Sequence, residues 1–338
     1  MKNAPLTLVG APGSPYSRKL RAVLRYRRIP HVWVQRGSRE SRELPRPRVE
    51  LLPQLVFPGS NEALTDSSPL IRRLEGVHAG RAVIPDDPAL AFLDALLEDY
   101  ADEWLTKAMF HYRWAFAPDV GQAAAILPRW FRIDQPEAEA RAAGRQFAAR
   151  QIGRLGVVGS NPTTGATIEA SYRRLLALLD ARLGEAPFVF GARPAAADFA
   201  LYGQLTQLAG FDPTPRAIAL ESAPRVVAWV DVMEDLSGHE PSGADWVARE
   251  ALPDSLRALF GEVGRVHAPF LLANADALAR GAEEVACSID GRSWAQKPFP
   301  YQAKCLAWLR EAHAALAPSD RRAADRFLAG TGCEALFA

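Results

Sequence analysis

The sequence predicts an α/β N-terminal domain, an all-α domain after it, and an extra α+β segment at the C-terminal end. Three observations carry this. The first 78 residues read as strand, helix, strand, irregular segment, two strands and helix, the order of a small mixed sheet flanked by helices. From Ala89 onward apolar residues recur at helical spacing. In the last hundred residues, Asp290-Gly291 sits between β-type residues inside an otherwise helical stretch, a hairpin signal. A chain of 338 residues exceeds one core of ordinary size, so two or three packed units are expected. We divide it at 1–78, 88–238 and 239–338.

The first element is the apolar run LTLVG from Leu6, ending in the cluster APGSP. YSRKLRAVLRY follows, with Leu20, Val23 and Leu24 on one helical face. Pro15 suits a first helical turn, where a missing N–H costs nothing. Ser14 therefore falls at the N-cap, beside unpaired backbone donors and the positive end of the helix dipole. His31 to Gln35 reads as a second strand, and Arg36 to Arg48 as irregular with a short helix. A third strand is expected at Gln54 to Phe57, entered through Leu52-Pro53, and a fourth within Asn61 to Asp66. Ser67 opens a helix whose apolar face is Leu70, Ile71 and Leu74.

Val77 to Pro88 reads as a linker. Leu93, Leu97, Tyr100 and Trp104 then share one helix face, and Asp99, Glu103 and Lys107 another, which we expect to be solvated and ion-paired. Met109 to Phe116 is an aromatic cluster. Helices are expected at Pro136 to Leu155, Thr167 to Leu183, within Phe188 to Gly210, and at Ala223 to Leu236. The last segment predicts helices at Leu252 to His267 and Pro269 to Arg280, a hairpin from Val285 to Gln296, a helix from Phe299 to Leu316, and a short one from Ser319.

Composition excludes more than it assigns. Net charge is +1, which argues for neither nucleic acid nor an acidic membrane as partner. Locally, Arg18 to Arg48 carries eleven Lys/Arg against Glu40 and Glu43, which reads either as a solvated, Arg-rich helix and loop or as a positive rim around an anion site. Three late cysteines, Cys287, Cys305 and Cys333, form no disulfide pattern and fit a reducing compartment. No apolar run approaches a membrane span, and the start of the chain lacks a leader's pattern; a cytoplasmic protein is expected. Six scattered histidines give no metal-ligand spacing, so no metal is expected. No G-x-S-x-G elbow supports a hydrolase.

Four strings in order carry a resemblance. SPYSRKLR, from Ser14, stands where a glutaredoxin of the thioredoxin fold carries CPYC, with serine at both cysteine positions, which excludes dithiol exchange. LPQL runs from Leu52 to Leu55. Asp66 leads into SPLIRRLE through Ser67, ending at Glu75, and GARPAAADFALYG runs from Gly191 to Gly203. Together they resemble the soluble glutathione transferase family over Leu6 to Leu236, with an active-site turn of the serine type seen in tau, zeta and many bacterial members.

The resemblance implies a thioredoxin-like domain followed by an all-helical domain, glutathione as co-substrate, a small apolar electrophile and a homodimer. It implies that Ser14 is catalytic and donates a hydrogen bond to the glutathione sulfur. The Leu52–Pro53 bond would be cis, with the Leu52 backbone pairing with the cysteinyl backbone of the ligand. Ser67 would hold the γ-glutamyl carboxylate and Asp66 the γ-glutamyl ammonium. Arg18, Arg39, Arg42 and Arg48 are candidates for the glycyl carboxylate or for thiolate support. His111, Tyr112 and Trp114, in the aromatic cluster, are candidates for the electrophile pocket.

The sequence departs from the family pattern in three places. Ala195 replaces a capping Ser or Thr three residues before Asp198, at a cost of about 0.5–2 kcal/mol unless a neighbour compensates. Asp66 is shorter than the usual Glu or Gln. Residues Ser237 to Ala338 extend beyond the family's usual end. The lost cap and the extension leave a second expectation open, a binding or regulatory protein without turnover.

Overall fold

The computed structural model describes residues 4–242 and 245–338. It opens with β1 (Leu6–Gly10), α1 (Pro15–Tyr26), β2 (His31–Gln35), the single turn α2 (Arg39–Arg42), β3 (Gln54–Val56), β4 (Ala63–Thr65) and α3 (Ser67–Val77). The sheet order is β2-β1-β3-β4, with β1 parallel to β2 and antiparallel to β3. Leu8 pairs with Trp33 on one side and Leu55 on the other, and Leu55 pairs with Leu64. Leu8, Leu20, Val23, Leu24, Leu55, Ile71 and Leu74 are fully buried, so α1 and α3 bury their apolar stripes with the sheet in one core.

The helical part begins with α4 (Pro88–Glu103) and α5 (Leu105–Ala115), then α6 (Ala117–Phe131) and α7 (Glu137–Ile152). The sequence did not suggest α6, and the helix expected from Ala89 is broken at Trp104. One expectation is corrected outright: Glu103 and Lys107 are buried and Asp99 is largely covered, because later elements pack over the face assigned to solvent. The long α8 (Gly165–Glu185) is followed by α9 (Ala196–Leu208), α10 (Pro213–Ser222) and α11 (Pro224–Met233).

Every residue of α9 is buried, so its N-terminal donors need partners inside the protein. Asp198 Oδ2 accepts from the Ala195 N–H and Oδ1 from the Val189 N–H, each at 2.8 Å. Asp94 of α4 accepts from the Ala197 N–H, also at 2.8 Å. Two carboxylates thus replace the hydroxyl that Ala195 lacks. Burial pushes the Asp198 carboxyl up to about 7, against the pull of those backbone donors.

The remaining elements are α12 (Asp254–Glu262), a π-helical stretch (Val263–His267) running without a loop into α13 (Ala268–Ala279), the hairpin β5 (Val285–Ile289) and β6 (Arg292–Gln296), α14 (Pro300–Ala315) and α15 (Pro318–Leu328). The two helices expected around residue 268 are therefore one continuous rod. The hairpin turns through Asp290 (φ 54°) and Gly291 (φ 70°), both left-handed, as a type I′ turn requires. This segment is docked through specific contacts. Trp294 packs on Trp104 at 5.2 Å, and His267 Nε2 lies 2.8 Å from Asp99. Arg174 of α8 grips Glu262 at 2.6 and 2.9 Å and Asp290 at 2.9 Å. Among the described residues, no helix is long and apolar enough to cross a membrane.

Candidate active site

Strand register gathers three of the predicted stretches. Val9 pairs with Gln54, and Gln54 pairs with Thr65. One step beyond these pairs, Gly10, Pro53 and Asp66 sit at the same end of the sheet. The loop carrying Ser14, the Leu52–Pro53 bond, which is cis, and the start of α3 at Ser67 therefore converge there.

Ser14 caps α1. Its extended backbone lets Oγ accept from the Ser17 N–H at 3.3 Å. Among the described residues this is its one side-chain hydrogen bond, so its O–H proton remains available to a ligand. The loop before it is held by its carbonyls. Gln207 Nε2 donates to Pro12 O at 3.1 Å, and Arg113 Nη1 to Gly13 O at 3.3 Å. Arg113 is itself fixed by a bidentate pair with buried Asp212 at 2.9 and 2.8 Å and by Gln207 Oε1 at 2.8 Å. Burial pushes the Asp212 carboxyl up to about 6, against the pull of Arg113. Helix α6 closes on the same loop. A Cβ at Gly13 would lie 2.7 Å from a Leu127 methyl and 2.8 Å from the Trp130 ring, so any larger residue has to push both side chains aside.

A buried ionic cluster joins α1 to α3. Lys19 Nζ lies 2.7 Å from Glu98, 2.6 Å from Asp102 and 2.9 Å from Ser68 Oγ. Ser68 Oγ also donates to Asp102 at 2.9 Å, and Arg72 reaches Glu98 at 2.9 Å. Burial raises the Asp102 carboxyl, while Arg72 and Lys19 outweigh burial at Glu98 and hold it low. The cluster sets the spacing between the helix starts that carry Ser14 and Ser67.

Leu52 N–H and C=O have no hydrogen-bond partner among the described residues. Ser67 is buried at the first position of α3. Asp66 precedes it with φ 79° and ψ 107°, outside the regions open to a side-chain-bearing residue, and does not cap α3. Instead its Oδ2 accepts from Tyr301 Oη at 2.6 Å.

The basic candidates are dispersed. Arg18 pairs with Glu234 at 2.7 Å. Arg39 pairs with Glu43 at 3.5 Å and Arg48 with Glu62 at 3.1 Å, both exposed, and Arg42 donates to Gly37 O at 3.2 Å. Of the aromatic candidates, His111 and Tyr112 pack together, ring centroids 5.7 Å apart, and Trp114 lies in a different cluster. His111 is buried 2.8 Å from Ser160 Oγ, and Tyr112 is fully buried against Phe116 and Tyr172. Trp114 lies in a small cluster with Leu127, alongside Trp130 and Phe211. A cleft of about 380 Å³ opens beside the Ser14 loop, lined by Pro12, Arg18, Trp130, Gln207, Phe211 and Glu234. Trp130, Phe211, Arg113, Lys19 and Tyr301 were not singled out from sequence. Lys19 carried the best signal, a cation within the apolar face of its helix.

Two family models agree with this architecture. The one described as the glutathione S-transferase N-terminal domain matches residues 8–82, and that of the C-terminal domain matches residues 138–232. No curated protein matches the chain. Among solved structures, a glutathione S-transferase from Methylobacterium radiotolerans, in complex with glutathione sulfonate, is 20% identical with a TM-score of 0.41. The match covers 72% of this chain and 100% of that one. One from Ceriporiopsis subvermispora, in complex with glutathione, is 18% identical with a TM-score of 0.45, covering 68% of this chain and 98% of that one. A glutathione S-transferase from Rhodospirillum rubrum is 17% identical with a TM-score of 0.41, covering 73% and 98%.

Proposed function

The chain belongs to the glutathione S-transferase family, and from that premise we propose that it binds glutathione and activates the thiol for attack on a small apolar electrophile. One observation carries the reading. The Ser14 hydroxyl accepts from its own helix and keeps a proton to donate, at the positive end of α1.

The chemistry follows from charge. A free thiol titrates near 8.5, so only a few per cent is thiolate at neutral pH. A hydroxyl donor and the α1 N-terminus both favour the anion, enough to bring the thiol to about 7. Roughly half would then be nucleophilic. Serine takes no proton in this scheme; the thiol proton leaves to solvent, and sulfur bonds to an electrophilic carbon either as a leaving group departs with its electron pair or as a polarised double bond opens and takes a proton from water.

The remaining roles follow the same logic. The unpaired Leu52 backbone would hydrogen-bond the cysteinyl unit as an added strand does. The N-terminus of α3, with the Ser67 hydroxyl, would hold the γ-glutamyl carboxylate, and Asp66 the ammonium. The cleft walled by Trp130 and Phe211 would take the electrophile. No basic residue stands out for the glycyl carboxylate. Pairing of two chains is part of the proposal, and light scattering in solution checks it.

The test is a conjugation assay over a panel of electrophiles, comparing wild type with Ser14→Ala. Turnover that depends on residue 14 supports the assignment. Equal turnover in both proteins overturns the role of Ser14, and glutathione binding without turnover leaves a binding protein of the same fold.

A further inference from the structure

Tyr301 comes from outside the region that resembles the family, yet it touches the predicted ligand site. It stands in the first turn of α14, and its hydroxyl donates to Asp66 Oδ2 at 2.6 Å. That contact spans 235 residues of sequence and is the one hydrogen bond of the Asp66 carboxylate among the described residues. Among the described residues Oδ1 has no partner.

The tyrosine is held rigidly. Pro300 opens α14, and just before it Asn274 of α13 clasps Phe299 twice, accepting from its N–H at 2.8 Å and donating to its carbonyl at 3.0 Å. Gln302, next to Tyr301, donates to the Glu103 carbonyl of α4 at 3.0 Å. The Tyr301 ring meets Trp308 edge-on at 6.3 Å. Burial, then the Asp66 carboxylate, push the phenol far above its ordinary range, so it remains a donor at every working pH. At the other end, Asp66 is locked by an unusual backbone conformation that its own helix does not use for capping.

Resting on the glutathione-binding reading above, we infer that Tyr301 is a positioning residue of the γ-glutamyl subsite. It fixes the short Asp66 side chain by one oxygen and presents the other to the ligand's ammonium. A freely rotating aspartate would lose entropy on binding, and a clamped one has already lost it. The C-terminal segment thus completes the ligand site within the same chain.

The opposite effect, a tyrosine that competes with the ammonium for the carboxylate, differs in sign. The experiment is calorimetric titration of full-length wild type and Tyr301→Phe with glutathione and with its analogue lacking the α-amino group. We expect the variant to bind glutathione about 5- to 20-fold more weakly, as for loss of a charge-assisted hydrogen bond. The deamino analogue should change by less than about 2-fold. Asp66→Asn, which keeps an acceptor for Tyr301 but removes the charge, should give the same selective loss. Unchanged or tighter glutathione binding by Tyr301→Phe, or an equal loss for both ligands, overturns the inference. Failure of wild type to bind either ligand overturns the glutathione reading as well, a result distinguishable from an unresponsive variant.

Discussion

At residue 14 a single hydroxyl has two tasks, and they are separable. As an acceptor it caps α1. As a donor it would stabilise a thiolate. Ser14→Ala should cost about 1 kcal/mol of folding stability through the cap, read as a lower denaturant midpoint. The loss in kcat/KM should be larger in effect, about 10- to 100-fold, since a donor aimed at a developing anion is removed. Ser14 was legible in the sequence because Pro15 and the apolar run before it fix the start of the helix. Tyr301 was not legible, because nothing local in its own helix marks a partner 235 residues away. Arg113 was invisible for a related reason: its partners, Asp212, Gln207 and the Gly13 carbonyl, come together only in the folded chain.

Among elements, the meeting of α1, α3 and α4 is the most consequential for the site. Lys19→Met would leave Glu98 and Asp102 buried without their shared cation, and Arg72 reaches only Glu98. We expect about 3–5 kcal/mol of destabilisation in denaturant unfolding. The face assigned to solvent along α4 and the start of α5 makes a second case. The spacing of Asp99, Glu103 and Lys107 is that of an exposed ion-paired helix, and periodicity cannot tell such a face from one covered by a distant element. Here the C-terminal helices and hairpin cover it. Burial, then Asp99 and Asp102, push the Glu103 carboxyl from 4.5 to about 8. The folded chain therefore binds that proton more tightly than the unfolded chain across this interval. Its contribution is full below about 4.5 and is lost as pH rises through about 8. Glu103→Gln should remove this slope, by on the order of 1–3 kcal/mol between pH 5 and 8, measured as urea midpoints of both proteins. Burial lowers Lys107 to about 7 with the opposite sign, so that contribution grows above neutrality and persists in the variant.

Over the whole molecule, the succession of strands and helices along the chain, the helical domain and the hairpin were legible because each rests on local signals: Pro at helix starts, alternation in strands, Asp-Gly at a turn. The docking of residues after 238 was not, since it depends on surfaces that exist only after folding. Gly264 tests that docking. A Cβ there would lie 2.0 Å from the Thr331 carbonyl and 2.8 Å from the Cys333 nitrogen, both backbone atoms that cannot rotate away. Gly264→Ala should cost about 1–3 kcal/mol and lower Tm by roughly 2–6 °C in calorimetry. If Tm is unchanged, the tail does not pack on the π-helical stretch.

The central claim is that this fold makes a bound thiol more acidic at Ser14. The direct measurement is the ultraviolet thiolate absorbance of glutathione bound to the protein, titrated against pH in wild type and in Ser14→Ala. The account predicts a midpoint near about 7 in wild type, returning toward about 8.5 in the variant. A bound thiol that titrates like free glutathione in wild type, or identically in both proteins, would contradict it.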